Sequence, residues 1–180
     1  MNSLAYSTHS NDVSRAVQVL MPGEFGVSVD DNVIMTILGS CVSIYLCDLE
    51  LKIGGLNHFL LPDSYGPPAP LGKDTHCTQN YIKDNNNMKA GHYGVGAMGL
   101  LINSLLKKGA RKEKLVAKVF GGAKVIDSKI DIGATNIAFA FRFLHNENIP
   151  IISHCVGGTS ALKIYAYSDT GTVLVRKING

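Results

Sequence analysis

The sequence predicts a mixed α/β fold of the α+β type, a single layered domain in which a largely antiparallel β-sandwich is flanked by helices. Three observations lead to this prediction. Short β-branched and apolar runs bounded by Gly, Asn and Asp dominate the 180 residues. Only two stretches have apolar residues recurring at spacings of three and four, as amphipathic helices require. Hairpin-length turns join strands near both ends of the chain, which favours antiparallel pairing.

The first third of the chain carries strand patterns around one sharp break. Residues 1–22 are mostly polar at their start and are predicted to be a mobile tail, followed by one domain over 23–180. Four strands are predicted at 23–29, 33–38, 42–46 and 52–61. Gly39 and Ser40 lie in the break between the second strand and the third. The loop around Asp48 is short enough to pair the third and fourth strands as an antiparallel hairpin.

A long connection follows at residues 62–91. It contains four prolines at 62, 67, 68 and 70 and three consecutive asparagines at 85–87, with few apolar residues. Loops of this length are uncommon inside compact domains and are usually either functional lids or disordered inserts. The sequence leaves both interpretations open, a flap beside an active site or an insert without fixed structure.

The remainder of the chain alternates helical and strand patterns. Helices are predicted at 93–108, where Gly109 follows as a cap, and at 136–146, where Asp131, Thr135 or Asn136 can cap the start. Strands are predicted at 115–120, 149–155, 162–167 and 172–178. Gly121 and Gly122 follow the first of these strands, which indicates either a close backbone approach to a ligand or a tight turn.

Composition and charge exclude several classes of function. The net charge of +3 is small and shows no clustered basic stripe, so nucleic acid is not an expected partner. No run approaches the ~18 apolar residues of a membrane span, and residues 1–15 lack the apolar segment of a signal peptide. We therefore expect a cytoplasmic protein whose four cysteines are free thiols.

Zinc is the alternative use of Cys and His side chains. The available groups are His76 with Cys77, His92, and His154 with Cys155. Their spacing does not match zinc-finger or zinc-ribbon patterns, and the sequence contains no Cys-x-x-Cys pair. The sequence therefore predicts neither a metal nor another cofactor.

One cysteine and one histidine are the candidate catalytic residues. Cys41 follows the Gly39–Ser40 break at the start of an apolar run, and His58 lies inside another apolar run. A neighbouring base or cation lowers the pKa of a thiol and activates it as a nucleophile, and His is the usual partner. The alternative is an inert buried cysteine and a hydrogen-bonded core histidine. Hairpin pairing of the two strands would bring the two side chains together.

Several longer words add to this pair. They are, in chain order, LGSCVSIYLCD, GGLNHFLLP, YGVGAM, GAR followed by AKVFGGAK, IGATNIAF and IPIISHCVGG. Together they extend from about residue 23 to about residue 175, and with them the chain resembles the CheD family, the chemoreceptor glutamine deamidases of bacterial chemotaxis. The resemblance implies an α/β sandwich similar to the catalytic domain of the cytotoxic necrotizing factor toxins.

The resemblance also implies site residues: Cys41 as the nucleophile, His58 as its base, and a threonine that orients the imidazole. In the family pattern that threonine stands six residues before the cysteine, where this chain has Met35; Thr36 is one residue closer. Neighbouring strand positions face opposite sides. Thr36 therefore takes the role if the strand bulges; otherwise another group, such as a backbone carbonyl, orients the ring.

Partners follow from the resemblance as well. The substrate would be the cytoplasmic domain of methyl-accepting chemoreceptors, and some family members bind a CheC-type phosphatase. A catalytically weak adaptor for such a phosphatase, or a cysteine peptidase or thioesterase, are the alternative functions. Cys155 stands before Val156 and Gly157 where CheD-type chains often carry Asp. If that Asp helps the family to grip a receptor or partner, substrate choice differs in this chain.

Overall fold

The computed structural model describes residues 15–29, 31–62, 92–125 and 130–178, and all structural statements refer to these ranges. Nine strands, two α-helices and one short 3₁₀ turn (Lys112–Lys114) make up the described fold. The strands are β1 (Val17–Val19), β2 (Phe25–Ser28), β3 (Val33–Leu38), β4 (Val42–Asp48), β5 (Ile53–Asn57), β6 (Leu115–Gly121), β7 (Ile151–Val156), β8 (Ala161–Tyr167) and β9 (Val173–Ile178). The helices are α1 (Gly94–Lys107) and α2 (Ile132–Asn146).

The strands form two sheets. Sheet A has the order β1-β3-β8-β9, and sheet B has the order β2-β5-β4-β6-β7. Five of the seven strand pairs are antiparallel, while β1–β3 and β6–β7 are parallel. The chain passes from sheet A to sheet B between β3 and β4, at the break that Gly39 and Ser40 make. The nucleophile candidate therefore lies where the two sheets meet.

Alternation along the strands creates two apolar layers. In β4, Ile44 and Leu46 pack with residues of both helices on one face of sheet B. Tyr45 and Cys47 face the other way and pack against sheet A residues such as Ile34. This period of two is the expected consequence of strand geometry. The order of layers is thus helices, sheet B, sheet A, as expected for an α+β domain.

The β4–β5 hairpin is fixed by an ion pair at its turn. The carboxylate of Asp48 is fully buried and accepts two charge-assisted hydrogen bonds, from Nε and Nη2 of Arg111, both at 2.9 Å. The backbone N–H groups of Leu51 and Arg111 also donate to it. The Arg111 guanidinium holds the pKa of the Asp48 carboxyl well below its usual range. This network joins the hairpin to the segment that precedes β6.

The α+β prediction and the β4–β5 hairpin are confirmed, but the boundary of the N-terminal tail is wrong. Val17–Val19 pairs in parallel with β3, and Leu20 is buried between the sheets. The predicted tail at 1–22 therefore extends too far, because a three-residue strand that gains its hydrogen bonds from β3 has little local signal of its own. Residues 1–14 lie outside the described residues, as do 63–91 of the predicted long loop. Neither described helix is long and apolar enough to cross a membrane.

Candidate active site

Cys41 lies in a turn whose backbone is held from one side. The N–H of Gly122 donates to the carbonyl of Cys41 at 2.7 Å, and the N–H of Ala123 donates to the carbonyl of Gly39 at 2.9 Å. Both donors follow β6, the strand that pairs with β4 from Val42 onward. The conformation of the turn at residues 39–41 is therefore fixed by the backbone that follows β6 as well as by the turn residues themselves.

The glycine pair after β6 makes this contact possible. A Cβ on Gly121 would lie 2.3 Å from the carbonyl oxygen of Cys41, and one on Gly122 would lie within 2.6 Å of the Ile137 side chain. Both glycines also have positive φ, 98° and 70°, which other residues rarely adopt. The sequence left open a ligand approach or a tight turn. The structure shows a close approach, made by the backbone of the Cys41 turn itself.

His58 directly follows β5, and its backbone is fixed by the segment before β2. The His58 N–H donates to the Glu24 carbonyl at 2.9 Å, and the Gly23 N–H donates to the His58 carbonyl at 2.7 Å. The His58 residue is 2% exposed. An imidazole this deeply buried needs polar partners, since an unsatisfied buried nitrogen is costly.

Thr36 supplies one such partner. Its Oγ1 lies 2.8 Å from Nδ1 of His58 and 2.8 Å from the carbonyl oxygen of Leu20, to which it donates. Because the single hydroxyl proton goes to Leu20, Oγ1 must accept the proton of Nδ1–H. The ring is therefore held as the Nδ1–H tautomer, which leaves the lone pair on Nε2.

The position of Thr36 does not require a bulge. Pairing of β3 with β8 advances one residue at a time from Val33 to Leu38. Thr36 is 1% exposed and faces inward with Ile34 and Leu38, whereas Met35 lies on the opposite face. The residue at the family's usual spacing therefore points away from His58, and Thr36 makes the contact through a regular strand.

Strand register relates Cys41 to His58. Backbone hydrogen bonds join Val42 and Phe59 in an isolated antiparallel bridge that keeps the register of the β4–β5 ladder. Cys41 lies one residue before that rung and His58 one residue before it on the other strand, so the two are diagonal neighbours on one face of the sheet. Cys41 packs against the inter-sheet cluster, which also contains Leu56, two residues from His58. The site thus occupies the space between the sheets.

Nε2 of His58 is the unused group of this site. It is buried and has no hydrogen-bond partner among the described residues. Catalytic hydrogen bonds are often loose before substrate binds, so an unpartnered Nε2 beside a half-buried thiol is compatible with a base that acts during the reaction.

Among the described residues, no group of three or more His, Cys, Asp or Glu side chains is arranged to hold a metal ion. His76 and Cys77 lie outside the described ranges.

Burial sets the protonation states, and this corrects one expectation. Desolvation raises the pKa of the Cys41 thiol, and a hydrogen bond from its own backbone N–H offsets this only in part. Desolvation also lowers the pKa of His58 to about 4. The sequence predicts that the imidazole lowers the pKa of the thiol, but both groups are neutral at pH 7 in this structure because burial disfavours the charged form of each.

Sequence reasoning missed two polar groups of the site. One is the Leu20 carbonyl, which lay inside the predicted tail. The other is Asn136 of α2, which we considered only as a helix cap, although its side chain reaches the backbone before Cys41. That contact spans 96 residues, so no local pattern could have indicated it; the cap itself is Asp131, which accepts from the Ala134 N–H.

Comparisons with known proteins agree on one family. The family described as CheD chemotactic sensory transduction matches residues 78–177. A protein of Caulobacter vibrioides named "Probable chemoreceptor glutamine deamidase CheD" is 44% identical over 174 residues, which cover 96% of this chain and 84% of that protein. Proteins of the same name from Methylobacillus flagellatus and Rhizobium etli are 41% and 42% identical, each over 88% of this chain and over 72% and 77% of their own lengths. Because the first alignment covers 96% of this chain, the segments that contain Cys41 and His58 lie within it.

Proposed function

The chain belongs to the CheD family, and from this premise we propose that it is a chemoreceptor glutamine deamidase that converts receptor glutamine side chains to glutamate and releases ammonia. The substrate would be the cytoplasmic part of a methyl-accepting chemoreceptor. One observation carries the proposal: Thr36 fixes His58 as the Nδ1–H tautomer, so that a buried, unpartnered Nε2 is available beside the Cys41 turn. This is the arrangement that a cysteine nucleophile with a general base requires.

The reaction begins with acyl transfer to sulfur. Sγ of Cys41 attacks the carbon of the glutamine carboxamide while Nε2 of His58 takes the thiol proton. Negative charge develops on the carboxamide oxygen, and the backbone N–H of Cys41, which faces its own sulfur, is a suitable donor for it. The imidazolium then protonates the amide nitrogen as the C–N bond breaks. Ammonia leaves, and a thioester to Cys41 remains.

Hydrolysis completes the cycle. His58, again neutral, takes a proton from water as the water oxygen attacks the thioester carbon. The C–S bond breaks, the proton returns to sulfur, and the product side chain is released as a carboxylic acid that loses its remaining proton to solvent. Each turnover therefore replaces one neutral amide with one carboxylate and restores the neutral thiol–imidazole pair. Thr36 keeps the ring in one tautomer during both half-reactions.

The decisive test compares two cysteine variants. Cys41→Ala should abolish deamidation of a receptor cytoplasmic fragment, measured by mass spectrometry as a gain of about one dalton per site, because no thioester can form. Cys155→Ala is the matched control, since Cys155 is also half-buried against the inter-sheet cluster, and it should retain activity. Undiminished deamidation by Cys41→Ala would refute the mechanism. Cleavage of the fragment would indicate a peptidase instead.

Three finer features belong to the same proposal. The two-sheet sandwich with a cysteine at a strand start supports a structural similarity to the catalytic domain of the cytotoxic necrotizing factor toxins. Action on receptor cytoplasmic domains implies a location in the cytoplasm, where thiols stay reduced. Binding to a CheC-type phosphatase is a further property that the family membership suggests, and a pull-down with a purified phosphatase of this type tests it.

A further inference from the structure

The side chain of Asn136 connects the two segments that carry the candidate catalytic residues. Asn136 lies in α2 and is fully buried. Its Nδ2 donates to the carbonyl of Ser40 at 3.0 Å and to the carbonyl of Leu60 at 2.8 Å. Ser40 directly precedes Cys41, and Leu60 is two residues beyond His58. One amide group therefore holds both segments.

The contact lies where backbone pairing stops. The ladder between these segments ends at the Val42–Phe59 rung. The next hydrogen-bonded pair of an antiparallel ladder would be Ser40 with Leu61, but the N–H of Leu61 donates to the carbonyl of His92 instead. The two hydrogen bonds of Asn136 bridge the segments at this open position. Without them, the Cys41 turn would be held by the backbone that follows β6 and by the Val42–Phe59 rung, and the two segments would have no direct hydrogen bond beyond that rung among the described residues.

The orientation of the amide follows from its partners. Two carbonyl oxygens face the same atom, and only the NH₂ group can donate to both, so the assignment of nitrogen and oxygen is fixed. This leaves Oδ1 buried without a partner among the described residues. A buried, unsatisfied acceptor is destabilising, and an apolar side chain of similar size would avoid it. The amide thus favours a particular geometry of the two segments at the expense of stability.

We propose that Asn136 is a positioning residue that sets the distance between the thiol of Cys41 and Nε2 of His58. The proposal rests on the proposed function, since it assigns Asn136 a role in that same reaction. Asn136 does not touch the substrate. It acts through the Ser40 carbonyl on one side and the Leu60 carbonyl on the other, and its loss lets the two segments separate.

The test uses a near-isosteric variant and a control on the same helix. Asn136→Leu removes both hydrogen bonds and the buried Oδ1. Because a displacement of about 1 Å can cost about 100-fold in rate, kcat for the receptor fragment should fall by about that factor while KM stays nearly constant. The rate of Cys41 alkylation by iodoacetamide should fall as well. Leu144→Val, about two turns further along α2, changes the core without touching the Cys41 turn and should keep kcat.

A second variant tests the same role if Asn136→Leu does not fold. Asn136→Asp preserves shape but, once ionised, presents only acceptors to two carbonyls; its kcat should therefore fall further as pH rises, whereas the wild-type value should not. Wild-type kcat in folded Asn136→Leu, or a flat pH profile in Asn136→Asp, would overturn the positioning role. Failure of the proposed function is distinguishable, because it would show as full deamidation by Cys41→Ala, whatever Asn136 does.

Discussion

Replacing Thr36 with Val isolates the interaction that fixes the imidazole. Val keeps the β-branched shape but removes the hydroxyl, so both 2.8 Å contacts of Oγ1 are lost. Nδ1–H of His58 and the carbonyl of Leu20 would then be buried without partners, and each such group costs about 1–3 kcal/mol. The free energy of unfolding should therefore fall by about 2–6 kcal/mol. The lost hydrogen bond favours the Nδ1–H tautomer by about 1.4 kcal/mol, so its removal lowers the population of that tautomer relative to the other about tenfold. Rotation of the imidazole ring lowers the productive population further.

We accordingly expect kcat of Thr36→Val to fall by about 10- to 100-fold, with KM for the receptor fragment little changed. The assay is mass-spectrometric deamidation over time at a temperature where denaturant titration shows the variant to be folded. Thr36→Ser is the matched control, since it keeps the hydroxyl and should keep most of the activity. Turnover of Thr36→Val within about twofold of wild type would mean that Thr36 does not set the tautomer.

Two predictions concern pH. With the pKa of His58 near 4 and that of Cys41 raised, kcat/KM should be flat through neutral pH and fall only as pH drops toward 4; an inflection near 6.5 would contradict the burial argument. Asp48→Asn should lower the free energy of unfolding at pH 7 by about 1.5–3 kcal/mol, because it weakens the charge-assisted hydrogen bonds from Arg111, whose partly exposed guanidinium keeps Glu50 as a partner. Since the pKa of Asp48 is depressed in the fold, this difference should shrink as pH falls below 3.8 in parallel denaturant titrations, and a constant difference would argue against the ion pair.

The sequence could predict those features of the site that depend on residues close to one another along the chain. The turn around Asp48 is short, so an antiparallel β4–β5 hairpin followed from the spacing of two apolar runs, and the structure confirms it. That hairpin alone brings His58 back toward the beginning of β4. By contrast, the Thr36–His58 contact joins the two sheets, and sequence periodicity gives no information on how one sheet lies on another.

Helix α2 shows why boundaries were harder to predict. The prediction began it at residue 136, but the helix starts at Ile132. Its first turn contains Gly133, a weak helix former, which hides the start. The glycine is required by packing, since a Cβ there would lie 2.3 Å from the carbonyl oxygen of Gly122. Here a tertiary contact beside the Cys41 turn overrides local helix propensity.

Parallel pairing of β6 with β7 was also missed. The prediction of largely antiparallel strands holds for most pairs, but β6, α2 and β7 form a strand–helix–strand unit in which the strands are parallel. A crossover of this kind needs a dozen or more residues, usually a helix, and the predicted order of a strand, a helix and a strand already contained that signal. The crossover is what brings Asn136 over the Cys41 turn.

The protonation states, finally, constrain how the reaction begins. Burial raises the pKa of the Cys41 thiol above its ordinary value and lowers that of the His58 imidazole to about 4, so both groups favour their neutral forms. A thiolate–imidazolium pair is therefore disfavoured before substrate binds. Proton transfer must therefore accompany attack on the carboxamide, when the developing oxyanion draws negative charge away from sulfur. A reaction of this kind depends on the relative placement of Sγ and Nε2 more than on a permanently ionised thiol, so the hydrogen bonds of Thr36 and Asn136 should control the rate by fixing that placement.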